Sequence, residues 1–116
     1  MSSIVEISAN VFNQTIAETE KPVIVEFWIR ACSGCQKFKT IYEQLSKIFG
    51  DQVTFLKMST VKTMENLKFA ESFNIVETPT TKIFYRGEEI GEIVGYRTLD
   101  AVISEIETIL ERRGTN

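Results

Sequence analysis

The sequence predicts an α/β fold: a central mixed five-stranded sheet, built in the order β-α-β-α-β-α-β-β-α, with helices on both faces. Three observations carry this. Short β-branched and aromatic runs alternate with stretches whose apolar residues recur at three- and four-residue steps. The run Val23-Ile24-Val25-Glu26-Phe27-Trp28 is nearly continuous in apolar residues, as expected of a central strand covered on both faces. The length of 116 residues, with 43% hydrophobic and 25% charged, suits one packed domain over 1–116.

The elements follow in order. Ile4, Val5 and Ile7 predict a short first strand. Ser8 or Asn10 can cap a helix carrying Val11, Phe12 and Ile16. Pro22 precedes the central strand. Phe38, Ile41, Tyr42, Leu45, Ile48 and Phe49 mark a helix with one buried face, stopped by Gly50-Asp51. Val53–Met58 reads as a strand, and Met64 to Phe73 as a third helix. Pro79 opens a strand over Thr80–Tyr85, and Arg86-Gly87-Glu88-Glu89 turns it into a hairpin with Ile90–Tyr96. Leu99, Val102, Ile103, Ile106, Ile109 and Leu110 form the stripe of a last helix. Arg112 and Arg113 suit its negative end, and Gly114 can close it. Strands linked through helices are expected to run parallel, and the closing hairpin antiparallel.

Composition removes whole classes of function. With no His, a Ser-His-Asp site, a Cys-His protease site and a His-ligated zinc site are all excluded. Proton transfer must use carboxylate, lysine, tyrosine, thiol or water. Lys+Arg is 13 and Asp+Glu is 16, a net charge of −3, which gives no electrostatic reason to bind nucleic acid or anionic membrane. The longest apolar run in the first half, Val23–Ile29, is interrupted by Glu26 and falls well short of the roughly 20 residues a bilayer needs. The first residues lack a basic segment followed by an apolar one, so a cytoplasmic location is expected, although a mature exported form would look the same.

The two cysteines are the informative residues. Cys32 and Cys35 are spaced C-x-x-C. A disulfide across two intervening residues closes too small a loop to stabilise a fold much. A structural zinc site needs about four ligands, so two thiolates would have to recruit carboxylates or a second copy. Two incidental cysteines are a further reading; a reversible dithiol is the third. The pair lies between the central strand and the helix that follows. A helix N-terminus stabilises a thiolate there and lowers its pKa. Cys32, nearer the helix start, is the expected attacking thiolate. Cys35, one turn further in, can reach back to resolve a mixed disulfide.

The stretch Phe27-Trp28-Ile29-Arg30-Ala31-Cys32-Ser33-Gly34-Cys35-Gln36-Lys37 resembles the active-site segment of thioredoxins. The resemblance extends over nearly the whole chain, through Thr78-Pro79-Thr80, the Gly87 hairpin and Gly95. It implies the thioredoxin fold, thiol–disulfide exchange with protein disulfides, a thioredoxin reductase-type electron donor, a monomer and no bound cofactor or metal. It implies that Pro79 is a cis-proline facing the disulfide and that Thr78 pairs its backbone with a substrate strand; an ordinary strand-starting proline is the alternative. Glu26 matches the buried acid, usually Asp, that assists proton transfer at the second cysteine, and Lys57 matches the lysine that pairs with it. A purely structural ion pair is the other reading of these two. Trp28, Ser33, Gly34, Thr78, Pro79 and Gly95 make the implied substrate-facing set.

Five positions depart from ordinary thioredoxins. Ser33-Gly34 replaces Gly-Pro, which loosens the turn and is expected to make the couple somewhat more oxidising. Ala31 stands where a Trp is usual, Thr40 where a proline kinks the helix, and Thr78 where Ile is common. A hydroxyl at Thr78 can bond the Cys32 sulfur. Arg30 adds positive charge near the site. Two other functions stay open on this reading. One is a thioredoxin-fold binding module with little redox turnover. The other is a more oxidising disulfide oxidase or isomerase.

Overall fold

The structure, a computed structural model, describes residues 4–112. Its elements are β1 (Val5–Glu6), α1 (Ala9–Ala17), β2 (Val23–Trp28), α2 (Ser33–Phe49), β3 (Thr54–Ser59), α3 (Met64–Ser72), β4 (Thr80–Tyr85), β5 (Glu88–Val94) and α4 (Leu99–Arg112). The expected order is observed. Arg113 and Gly114, expected at the end of the last helix, lie outside the described residues.

One mixed sheet has the strand order β1-β3-β2-β4-β5. Alternation along the central strand splits the core in two. Ile24 packs with Phe38, Tyr42 and Leu45 of α2 and Val102 and Ile106 of α4. Val23, Val25 and Phe27 pack on the opposite face with Phe12 and Ile16 of α1. Both layers exclude water, which is why β2 needs apolar residues at nearly every position. The Tyr42 hydroxyl is buried and lies 3.1 Å from the Ile24 carbonyl and 2.5 Å from that of Leu56, tying α2 to β2 and β3.

β4 corrects the expectation that helix-linked strands run parallel. It follows β3 through α3, yet it pairs antiparallel with β2. The register gives the reason. Ser59 ends β3 opposite Trp28, and Thr80 begins β4 opposite Phe27, so the chain re-enters the sheet at the end it left. A strand entered there must run back the other way. The hairpin is also tighter than expected. Arg86 and Gly87, at φ 52° and 84°, form a two-residue turn between Tyr85 and Glu88, a geometry matched to the twist of paired strands. β5 therefore begins and ends two residues before the expected Ile90–Tyr96, and β3 is offset by one.

Capping of α1 differs as well. Ser8 occupies the N-cap without a side-chain bond to the helix, its hydroxyl meeting the Asn10 carboxamide instead. The Ala9 N–H is satisfied from a distance by Asn66 Oδ1 at 2.8 Å. Asn66 is 1% exposed, and its amide also donates to the Ser59 carbonyl at 2.9 Å. One carboxamide thus fixes the start of α1 and the end of β3, satisfying backbone groups that would be costly to bury alone. Thr63 caps α3 by accepting the Asn66 N–H at 3.0 Å.

Candidate active site

The end of β2 delivers the chain to the start of α2, where Cys32 is the N-cap. Its sulfur accepts the Cys35 N–H at 3.1 Å, so the first turn of the helix already satisfies a donor on the sulfur that would carry negative charge. Cys32 and Cys35 form a disulfide, with Cα atoms 5.2 Å apart. The two sulfurs are not equivalent. Cys32 is half-buried, whereas Cys35 is 5% exposed on the inner face of α2. Ser33, the first residue of α2, is exposed beside them. α2 runs from Ser33 through Thr40 to Phe49.

Opposite the disulfide stands Thr78-Pro79, joined by a cis peptide bond. The Thr78 hydroxyl donates to the Cys32 sulfur at 3.3 Å, and the Thr78 carbonyl lies 3.3 Å from the same sulfur. The Gly95 N–H donates to the Pro79 carbonyl at 2.7 Å, which pins the end of β5 beside this segment. Gly95 takes φ +83°, a conformation glycine adopts freely. Gly34 packs close to this segment: a Cβ there would lie 3.2 Å from Pro79 Cδ, a tight contact, and 3.8 Å from the Tyr96 Cβ, an ordinary one. Sequence reasoning did not single out Tyr96. It is 42% exposed and lies beside Gly34, which falls between the two cysteines in sequence, and only its place directly after Gly95 signalled it.

Behind Cys35 lies a cleft of about 290 Å³ lined by Glu26, Trp28, Arg30, Cys35, Lys39 and Lys57, among others. Glu26 is 4% exposed. Burial pushes its carboxyl up to about 7; the Lys57 charge opposes this and the Glu6 charge adds to it. Lys57 is the in-register neighbour of Glu26 on β3 and its charge acts on Glu26, but among the described residues no contact within 4 Å joins the two side chains. Among the described residues, the ion-pair partner of Lys57 is Glu6 at 3.9 Å. The reason is register: Glu6 of β1 lies opposite Lys57 on its other side and is less buried than Glu26. The Lys57 ammonium also sits 5.2 Å from the centre of the Trp28 ring. The indole N–H of Trp28 is buried without a protein hydrogen-bond partner among the described residues.

The structure therefore brings Cys32, Cys35, Thr78, Pro79, Gly34 and Gly95 into one cluster, in which Cys35 and Pro79 are buried. Glu26, Trp28 and Lys57 form the layer beneath it. Among the described residues, no group of three or more His, Cys, Asp or Glu side chains is arranged to hold a metal ion, and no helix is long and apolar enough to cross a membrane.

A half-buried cysteine capping a helix, bridged to a buried partner and facing a Thr-Pro segment, defines a protein of dithiol–disulfide chemistry. Comparison with known proteins narrows the class. The thioredoxin family model matches residues 3–108. A thioredoxin of Mycolicibacterium smegmatis is 29% identical over 109 residues, covering 94% of this chain and 96% of its own. Thioredoxin 1 of Synechococcus elongatus is 30% identical over 95 residues, covering 82% of this chain and 86% of its own. A thioredoxin of Synechocystis is 27% identical over 110 residues, covering 95% and 100%. The chain belongs to the thioredoxin family, and its C-x-x-C pair makes it a thioredoxin-type thiol–disulfide oxidoreductase.

Proposed function

We propose that the chain reduces disulfides of protein substrates with Cys32 as nucleophile and Cys35 as resolving thiol, and that a thioredoxin reductase-type protein returns it to the dithiol. The observation that carries this reading is the asymmetry of the two cysteines, one half-buried at the helix N-cap and one buried in a cleft it shares with an acid. The Cys32 thiolate attacks one sulfur of a substrate disulfide. That S–S bond breaks, a mixed disulfide forms, and the first substrate thiolate leaves and takes up a proton. Cys35 then loses its proton, attacks the Cys32 sulfur and expels the second substrate thiolate. Two electrons have moved to the substrate, and the Cys32–Cys35 disulfide remains. A reductase-type donor supplies two electrons to reopen it.

In this reading Glu26, which lines the cleft with Cys35, takes the Cys35 proton, directly or through water. A carboxyl poised near 7 exchanges protons readily at neutral pH. Thr78 offers its backbone to an extended substrate segment, with Trp28, Ser33, Gly34, Pro79 and Gly95 around it. The mixed disulfide also supplies the test. In Cys35→Ser the resolving step is lost, so substrate proteins should remain covalently held by Cys32 and be released by dithiothreitol. Capture by Cys35→Ser but not by the Cys32→Ser, Cys35→Ser double variant is the expected result. Equal capture by both, resistant to dithiothreitol, would favour a binding module. The cytoplasm, as a monomer, is the setting we propose for this chemistry.

A further inference from the structure

Lys57 lies between two carboxylates, and it is held by the outer one. Glu6 on β1, Lys57 on β3 and Glu26 on β2 are in-register neighbours, so one row of the sheet reads Glu6, Lys57, Glu26. Paired residues on adjacent strands share a face. This is the face covered by α2, because the adjacent same-face pair, Ile24 and Phe55, packs in the core layer of α2 and α4. The Lys57 ammonium lies 3.9 Å from Glu6 Oε1. Glu6 is itself fixed, since its Oε2 accepts the Ser59 N–H at 3.0 Å. Lys57 lines the cleft, and each side chain of the ion pair is 32% exposed, while Glu26 is 4% exposed.

We propose that Glu6 is a positioning residue: it holds the Lys57 ammonium away from Glu26 and so decides when Glu26 carries a proton to exchange at Cys35. The physics is competition for one cation. An ammonium free to approach Glu26 would favour its ionised form, and Glu6 both withholds that cation and adds a negative charge of its own. The other titratable or charged groups facing Glu26 are Cys35, Lys39 and Tyr42 from α2 and Arg30 from the segment after β2. β4 places only the uncharged Thr81 opposite. The catalytic consequence rests on the reading of Glu26 as the proton acceptor for Cys35; the coupling itself does not.

The test is a carbon-13 NMR titration of the Glu26 carboxyl in the full, oxidised chain, where Cys35 does not titrate. A parallel pH profile follows the Cys35-dependent release of a mixed disulfide. In Glu6→Gln the Glu26 midpoint should fall by about half a pH unit or more, as loss of a neighbouring anion and release of a cation both favour the carboxylate. Glu6→Asp, which keeps the charge, should bring the midpoint back toward the parent. In a Lys57→Gln background the Glu6→Gln shift should shrink, because no ammonium remains to be redirected. An unmoved midpoint in Glu6→Gln, or an equal shift with and without Lys57, would overturn the inference. A moved midpoint with an unmoved rate profile would support the coupling and overturn the role of Glu26 in proton transfer.

Discussion

Cys32→Ser is expected to abolish reduction of protein disulfides, lowering the rate at least about a thousandfold, since a hydroxyl at neutral pH is not a competent nucleophile toward sulfur. The structure makes this loss sharper than a count of two cysteines would. Cys35 retains its thiol in the variant, but it is 5% exposed and faces the cleft rather than the substrate side. It cannot substitute for Cys32 in the first attack. The bridge closes only a four-residue segment, so its loss costs little stability. The variant should therefore fold and melt close to the reduced parent. Turbidity from insulin reduction, with dithiothreitol as electron source, measures the loss against the uncatalysed background. Retained turnover in a folded Cys32→Ser variant would contradict the assignment of the nucleophile.

Glu26→Gln should separate stability from activity, with a sign set by the direction of the carboxyl shift. In the folded chain the group is raised from 4.5 to about 7. The folded state therefore holds a proton that the unfolded state has lost over that interval. The stabilising contribution is fully present below about 4.5 and disappears as pH rises through about 7. At 1.36 kcal/mol per pH unit the loss is about 3 kcal/mol by pH 8. Gln stays neutral and has no such slope. Urea denaturation of the oxidised forms should show Glu26→Gln more stable than the parent by about 3 kcal/mol at pH 8 and no more stable at pH 4.5. Resolution of the mixed disulfide should meanwhile slow at least about tenfold, because Cys35 loses its proton acceptor. A stability difference identical at both pH values would contradict the burial account. A functional acid kept at a cost in stability is what a site selected for chemistry retains.

Several elements were legible to the residue because punctuation flanks them. Pro22 and Pro79 precede β2 and β4, and both strands run as the sequence predicts, Val23–Trp28 and Thr80–Tyr85. The dithiol was legible from its spacing and its place between a strand and a helix. The direction of β4 was not, because it depends on which end of the sheet the chain re-enters after α3, and no local pattern encodes that. β5 was misplaced by two residues because its polar edge positions Glu88 and Glu89 look like turn. Asn66 reads as a surface residue of a polar helix, but its partners Ala9 and Ser59 are 57 and 7 residues away. The partner of Lys57 depended on the pairing of a two-residue strand, β1, whose register only the folded sheet fixes. Lys82 is a further case. It interrupts an apolar strand and is 4% exposed, but its ammonium meets Glu89 at 2.7 Å and Glu92 at 3.1 Å on the edge strand. What sequence reasoning missed is long-range polar pairing; what it found is local patterning.

The central claim is that Cys32 and Cys35 interconvert reversibly between dithiol and disulfide. A redox titration against defined thiol/disulfide ratios tests it most directly. Trp28 is the only Trp and lines the cleft with Cys35, so its fluorescence reports the bridge, and gel-shift alkylation counts the free thiols in parallel. The account predicts one two-electron transition, tenfold per about 30 mV, in which the two readouts coincide. Its midpoint should lie at or somewhat above the value of about −270 mV typical of thioredoxin, in keeping with the Ser33-Gly34 turn. A midpoint near about −120 mV would instead make the chain an oxidant. No transition, with both thiols unreactive to alkylation after reductant, would contradict the claim outright.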